Sequence, residues 1–168
     1  MKNTPARHTY IPGHQREAKN PRMKAVLVFI DGTICDTRPR HHLGIGMPDF
    51  YKREEILKDL AVPGSVQCLQ ELAQRYEIIY MGARPASTLP YTEEWLQMMG
   101  FPEGHVCLAR SHKERLALMR DLRENFDFAA GIGDRWDDNE LHLEIRLQKH
   151  HFERVRGELG GRSQALAG

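Results

Sequence analysis

Long apolar runs are missing from this chain. Nothing in its 168 residues approaches the roughly 18–20 consecutive apolar side chains that a membrane-spanning helix needs. The amino end also lacks the apolar stretch of a secretory signal. Neither sign of charge is in excess: 24 Lys and Arg stand against 23 Asp and Glu, which argues against a general electrostatic attraction to nucleic acid or membrane surfaces. Cysteine is scarce, and Cys35, Cys68 and Cys107 stand singly with no CxxC pair. That usage does not build a disulfide framework and fits a reducing compartment, so a cytoplasmic location is expected. Nine histidines are present, but none has HxxxH or HxH spacing, and the adjacent pairs His41-His42 and His150-His151 read as solvated surface rather than metal ligands.

What is present is an alternation of strand and helix signals, flanked by two polar ends. Residues 1–22 are broken by Pro5, Pro12, Gly13 and Pro21 and read as a basic, flexible tail, with Met23 opening the first regular element. A partner-anchoring role for this tail stands beside the simpler reading of an unstructured extension. The α/β domain is expected over 23–150, with a small insertion at about 37–62, and a polar tail over 151–168. Ala25-Val26-Leu27-Val28-Phe29-Ile30 is apolar without interruption, as in a strand covered on both faces. The spacing predicts helices over 49–60, from Ser65 through Ala73, around Trp95-Leu96-Met99 as far as Gly100, and over 112–125. Further strands are predicted at 78–81, 106–108 and 126–132, and a last helix from about Asp137 into the 150s. Alternation of this kind predicts a doubly wound parallel sheet of about four or five strands, whose ligands bind beyond the carboxyl ends of the strands. Asp31, Gly82 and Asp134 each follow a strand directly, so the fold would gather them on one rim.

Several short stretches, in order, carry a resemblance. Ile30-Asp31-Gly32-Thr33-Ile34 with Asp36-Thr37 follows the first strand. Gly82-Ala83-Arg84-Pro85 follows the second. Lys113 opens a helix about twenty residues before Gly133-Asp134, with Asp137-Asp138 just beyond. Together they resemble the DxDGT, Thr-Gly/Ala-Arg-Pro, lysine and GDxxxD motifs of the haloacid dehalogenase superfamily of phosphohydrolases. Thr92-Glu93-Glu94-Trp95-Leu96 ending in Gly100-Phe101-Pro102 further resembles the branch that holds polynucleotide 3′-phosphatase domains and acid phosphatases. Trp95 is nonetheless read as core rather than as a stacking platform.

The resemblance implies a Rossmann-like core and a magnesium-dependent phosphomonoesterase. In the family the first aspartate attacks phosphorus and the second moves the proton. By position Asp31 is the acid/base, Lys113 the phosphate clamp, and Gly32, Thr33, Gly82, Ala83 and Arg84 the substrate-binding rim. The Asp31 backbone carbonyl, Asp134 and Asp138 are the implied Mg2+ ligands. Arg84 is open between a phosphate contact and a structural support. The implied substrate is a phosphorylated small molecule or phosphate ester, with a nucleic-acid end as a further option and no membrane partner.

Two departures set this chain apart. The position of the attacking aspartate holds Phe29, and one Asp placed between Phe29 and Ile30 would complete the family form, as if one residue were missing. Gly82 stands where a hydroxyl residue is usual, removing a hydrogen bond worth about 0.5–1.5 kcal/mol. The expectation is a scaffold with weak or no turnover and weakened Mg2+ affinity, or else a non-catalytic module that binds phosphate or a partner. Only 27 positions separate Asp36 from Pro63, too few for a large cap, and Arg38-Pro39-Arg40-His41-His42 lies at the mouth as a solvated loop or an anion contact.

Overall fold

A computed structural model describes residues 22–133. The tail over 1–21, Asp134, Asp137, Asp138, the expected C-terminal helix and the polar end over 151–168 lie outside the described residues.

The apolar run forms β1 (Met23–Phe29), and the sheet is built outward from it. β4 (Glu77–Gly82) and β6 (Phe126–Ile132) flank β1, and β5 (His105–Leu108) lies outside β4, giving the order β5-β4-β1-β6 with every pairing parallel. The chain steps from β1 to β4 and β5, then returns to the far side of β1 for β6. That reversal makes the carboxyl rim beside β1 the natural crevice of the fold.

β1 is apolar throughout because both of its faces are covered. Val26, Val28 and Ile30 join Ile78 and Tyr80 under α2 (Ser65–Leu72) and α3 (Leu89–Met99), which contribute Leu69, Trp95 and Leu96. Ala25, Leu27 and Phe29 join Ile79 and Met81 under α4 (His112–Asn125), which contributes Met119 and Leu122. The start of α4 is set locally by a capping box, in which Ser111 Oγ accepts from the Glu114 amide at 3.1 Å and the Glu114 carboxylate accepts from the Ser111 amide.

The segment between β1 and α2 departs from the helix expected over 49–60. It holds 3-10 turns over Arg38–Leu43 and Pro48–Tyr51, a single turn of helix α1 (Arg53–Ile56), and a two-stranded antiparallel pair of β2 (Cys35–Asp36) with β3 (Leu60–Ala61). Lys52, extended at ψ 143°, breaks the helical path. A tertiary tie holds the break in place: the Arg40 guanidinium lies 4.0 Å over the Phe50 ring and donates to the Phe50 carbonyl at 2.6 Å. α1 is linked to α3 by an ion pair between Arg53 and Glu94.

Trp95 is fully buried, and its indole N–H donates to the Asp59 backbone carbonyl at 2.9 Å. It therefore clamps the insertion against the sheet as well as filling the core. Trp95→Phe leaves that carbonyl without its donor and should lower unfolding stability by about 1–3 kcal/mol. Urea midpoints at an unchanged m value would check this.

Candidate functional site

The rim beyond β1 and β4 opens into a cavity of about 720 Å³. Its floor contains Phe29, Asp31, Gly32, Gly82, Ala83 and Arg115, and its outer wall is made by the insertion, from Asp36-Thr37-Arg38 to Pro63. Asp31 leaves β1 in a tight turn: the amides of Thr33, Ile34 and Cys35 all donate to the Ile30 carbonyl. Gly32, at φ 82°, takes the left-handed conformation this turn requires. Gly82 is packed rather than free. A Cβ there would meet Leu108 Cδ2 at 2.8 Å and Ile30 Cδ1 at 3.4 Å, so a hydroxyl residue would have to displace the leucine end.

Behind the rim lies a buried charge network that sequence reading did not foresee. Asp59, at the end of the insertion, receives Arg40 through Nε at 2.8 Å and Nη2 at 2.8 Å, and Arg84 through Nη2 at 3.3 Å. Arg84 then grips Asp31, with Nη2 at 2.6 Å and Nε at 3.1 Å from the carboxylate, and donates to Thr92 Oγ1 at 3.1 Å. Arg40, Arg84 and Asp59 are 0% exposed, whereas the Asp31 side chain is 21% exposed and faces the cavity. Two guanidinium groups thus meet two carboxylates in planar, multiply bonded pairs, the geometry that makes burial of charge tolerable. Burial opposes the charge on Arg84, but the Asp31 charge and hydrogen bonds outweigh it and push its pKa up. Burial drives the Cys35 thiol strongly upward, so it stays protonated and donates to Asp59 at 3.2 Å.

The residues expected from the sequence are only partly brought together. Asp31, Gly32, Gly82 and Ala83 line the cavity. Thr33 is half-buried beside it, its amide tied to Ile30. Arg84 stands behind the wall, and a direct phosphate contact would require exchanging its bonds to Asp31 and Asp59. Lys113 is exposed and is not part of the lining. The buried face of α4 runs through Arg115, Met119 and Leu122, and residue 113 falls on another face. Arg115 takes the inward place, lining the cavity while its Nη1 donates to the carbonyls of Ala109 and Arg110 at 2.8 Å. Arg40, read as part of an entrance loop, is instead wholly buried. Arg38 and His41 from the same stretch do line the cavity. Of the implied metal ligands, Asp134 and Asp138 lie outside the described residues. Among the described residues Asp31, Cys35 and Asp59 offer ligand atoms within 4.8 Å of one another. Arg40 and Arg84 already occupy these carboxylates, the thiol is protonated, and Phe29 offers no oxygen, so this donor set does not fit a divalent cation.

At the outer wall Asp36 is held by Arg38, which donates through its backbone amide at 3.0 Å and through Nη2 at 2.6 Å. These hydrogen bonds lower the Asp36 carboxyl to about 2. Because the folded value lies below the ordinary one, the contact holds at neutral pH and is lost as pH falls through about 2. In a carboxyl-resolved NMR titration Arg38→Ala should move that midpoint up toward the ordinary carboxylate range. A second expectation concerns Asp59. Asp59→Leu strands the buried Arg40 and removes one partner of Arg84, which keeps Asp31; it should cost about 3–5 kcal/mol, and adding Arg40→Leu should recover part of it. Denaturant unfolding of the two variants would check the pattern.

No family model matches the sequence, and no curated protein matches it. Solved structures do. A class C acid phosphatase from Bacillus anthracis with tungstate bound superposes with a TM-score of 0.58 at 20% identity, over 79% of this chain and 64% of that one. Another structure of the class C acid phosphatase from the same organism gives 0.53 at 22% identity, over 66% and 50%. A chain of the Pnkp1/Rnl/Hen1 RNA repair complex gives 0.53 at 16% identity, over 77% and 42%. This chain therefore spans less than two thirds of each of these proteins. At such identities the likeness is one of fold: a parallel α/β sheet with flanking helices. Among the described residues no helix is long and apolar enough to cross a membrane.

Proposed function

We propose that this chain is a haloacid dehalogenase-like phosphohydrolase scaffold of the phosphomonoesterase type that holds a phosphate ester at its rim with weak or no turnover. One observation carries the reading. At the end of β1, where an attacking carboxylate is needed, Phe29 is 5% exposed and packed into the cluster under α4. A benzyl side chain has no lone pair to give to phosphorus. Asp31 would keep the acid/base position, and Gly32, Thr33, Gly82 and Ala83 the phosphate-binding rim. Arg115 joins Lys113 as a candidate for the cationic clamp, because Arg115 is the one that lines the cavity. Asp134 and Asp138 remain the proposed Mg2+ ligands, at reduced affinity. The substrate class is a phosphate ester, and a nucleic-acid end is included because a chain of an RNA repair complex shares the fold. A cytoplasmic location is proposed with it.

A non-catalytic phosphate-binding role is the second reading. It is favoured by the guanidinium groups of Arg38 and Arg115 in the lining, beside an Asp31 already engaged by Arg84.

Release of phosphate from an aryl phosphate, with and without Mg2+, tests both. The unmodified chain should show turnover at least a hundredfold below a version with Asp inserted after Phe29, on the order of what loss of a catalytic group costs. Robust turnover by the unmodified chain, abolished by Asp31→Asn, would overturn the account of Phe29. Saturable binding of inorganic phosphate without turnover in either version selects the second reading.

A further inference from the structure

Exposed apolar side chains are unevenly placed in this chain. Among the described residues the large hydrophobic side chains left exposed are Met23, Ile45, Met47, Leu60 and Met98, and three of these five belong to the insertion. A single exposed apolar group carries little information, whereas several gathered on one lip mark a surface that meets something. Ile45 is 70% exposed and Leu60 57% exposed, and both line the cavity. They join Tyr51, Ala61, Val62 and Pro63, so the lining from Ile45 to Pro63 is apolar or aromatic throughout.

This part of the wall is held in place before any ligand arrives. Phe50 is buried, with the Arg40 guanidinium 4.0 Å from its ring centroid, and Arg40 is fixed in turn by Asp59. Tyr51 meets the Phe50 ring edge-on, with centroids 5.3 Å apart and planes at 84°. Such pre-ordering spares part of the cost of binding. The polar groups at the mouth are committed to one another. Asp36 accepts from Arg38 through the amide, Nε and Nη2, and Thr37 Oγ1 lies 3.0 Å from His41 Nε2. A hydroxyl-rich body such as a sugar would have to exchange these contacts to be bonded by them, while an apolar body leaves them intact. Across the same cavity stand the guanidinium groups of Arg38 and Arg115 and the turns at Gly32 and Gly82. Positive charge and apolar surface therefore face one space of about 720 Å³, the size of a small-molecule site.

We propose that the phosphate ester held at this rim carries a compact apolar group, such as an aromatic ring, which packs on Ile45, Tyr51, Leu60 and Pro63, and that this wall selects it over sugar-bearing esters. The proposal rests on the reading of the rim as a phosphate site and narrows it to one class of ligand. A small amphiphile fits better than a membrane or a second copy of the chain, because the apolar lip continues into the cavity and faces cationic groups there.

Calorimetric titration of the full chain with methylphosphonate, phenylphosphonate and ribose 5-phosphate tests the selection without any turnover. Phenylphosphonate should bind at least about tenfold more tightly than methylphosphonate, the scale that a few carbons command in an apolar pocket. Ribose 5-phosphate should bind no more tightly than methylphosphonate. Ile45→Ser combined with Leu60→Ser changes two side chains that are exposed in the folded chain and should bring the phenyl-to-methyl ratio down toward one. Equal affinities for the two phosphonates, a ratio unmoved by the double substitution, or a preference for ribose 5-phosphate would each overturn the proposal. Failure of the phosphate reading shows differently. If neither phosphonate binds, 2-naphthol is titrated while the Ile45 and Leu60 methyl resonances are followed by NMR: saturable shifts keep the wall as an apolar subsite while the phosphate reading falls, and unmoved resonances overturn both. A dimer in sedimentation that the double substitution abolishes would assign the lip to a second copy and overturn the proposal as well.

Discussion

Four charged side chains hold the rim, the insertion and the core in one arrangement. Arg40 and Asp59 belong to the insertion, Asp31 to the turn after β1, and Arg84 to the turn after β4. Removing such groups from water carries a large desolvation cost, offset only when the partners meet in good geometry and their remaining hydrogen-bonding sites are satisfied. Here the conditions are met by Phe50, Thr92 and Cys35, which take up Arg40 Nη1, Arg84 Nη1 and Arg84 Nη2. The insertion is too short to have a core of its own. It is fixed to the sheet by this network, by Trp95 beneath it and by the short β2–β3 pair.

The same network sets the character of the cavity. Asp31 is the one of the four that reaches the cavity, and it does so already paired with a buried arginine. Around it stand Arg38, His41 and Arg115 on a floor closed by Phe29. The apolar floor follows from the fold: β1 is sandwiched between helices, and its last residue, Phe29, packs under α4.

Much of the fold was legible because its signals are local. Strands expected at 25–30, 78–81, 106–108 and 126–132 match β1, β4, β5 and β6 within a residue or two, and 112–125 is α4 itself. The helix expected over 49–60 failed because Arg40 reaches across to Phe50 and the chain must extend at Lys52 to allow it. In the site, the rim positions Asp31, Gly32, Gly82 and Ala83 could be read from their places after strands. Arg40 lies in a charged stretch with the look of a solvated loop, Asp59 carries no local signal, and which basic residue of α4 turns toward the cavity depends on how the helix docks, which brings Arg115 into the lining.

The sequence by itself determined the alternation of buried strands and amphipathic helices, the parallel sheet and the absence of an oxygen nucleophile at position 29, since each depends on side-chain type and spacing within a few residues. Tertiary structure alone decided which charges pair and where the sheet changes register. Arg40 finds Asp59 across 19 positions, Arg84 finds Asp59 across 25 and Asp31 across 53. Between Phe128 and Ala130 the pairing of β6 with β1 shifts by one residue, at Ala25/Val26 of β1, about a hundred positions away in the chain. Interactions over such separations have no periodicity to read, and only the folded chain brings the partners within hydrogen-bonding distance.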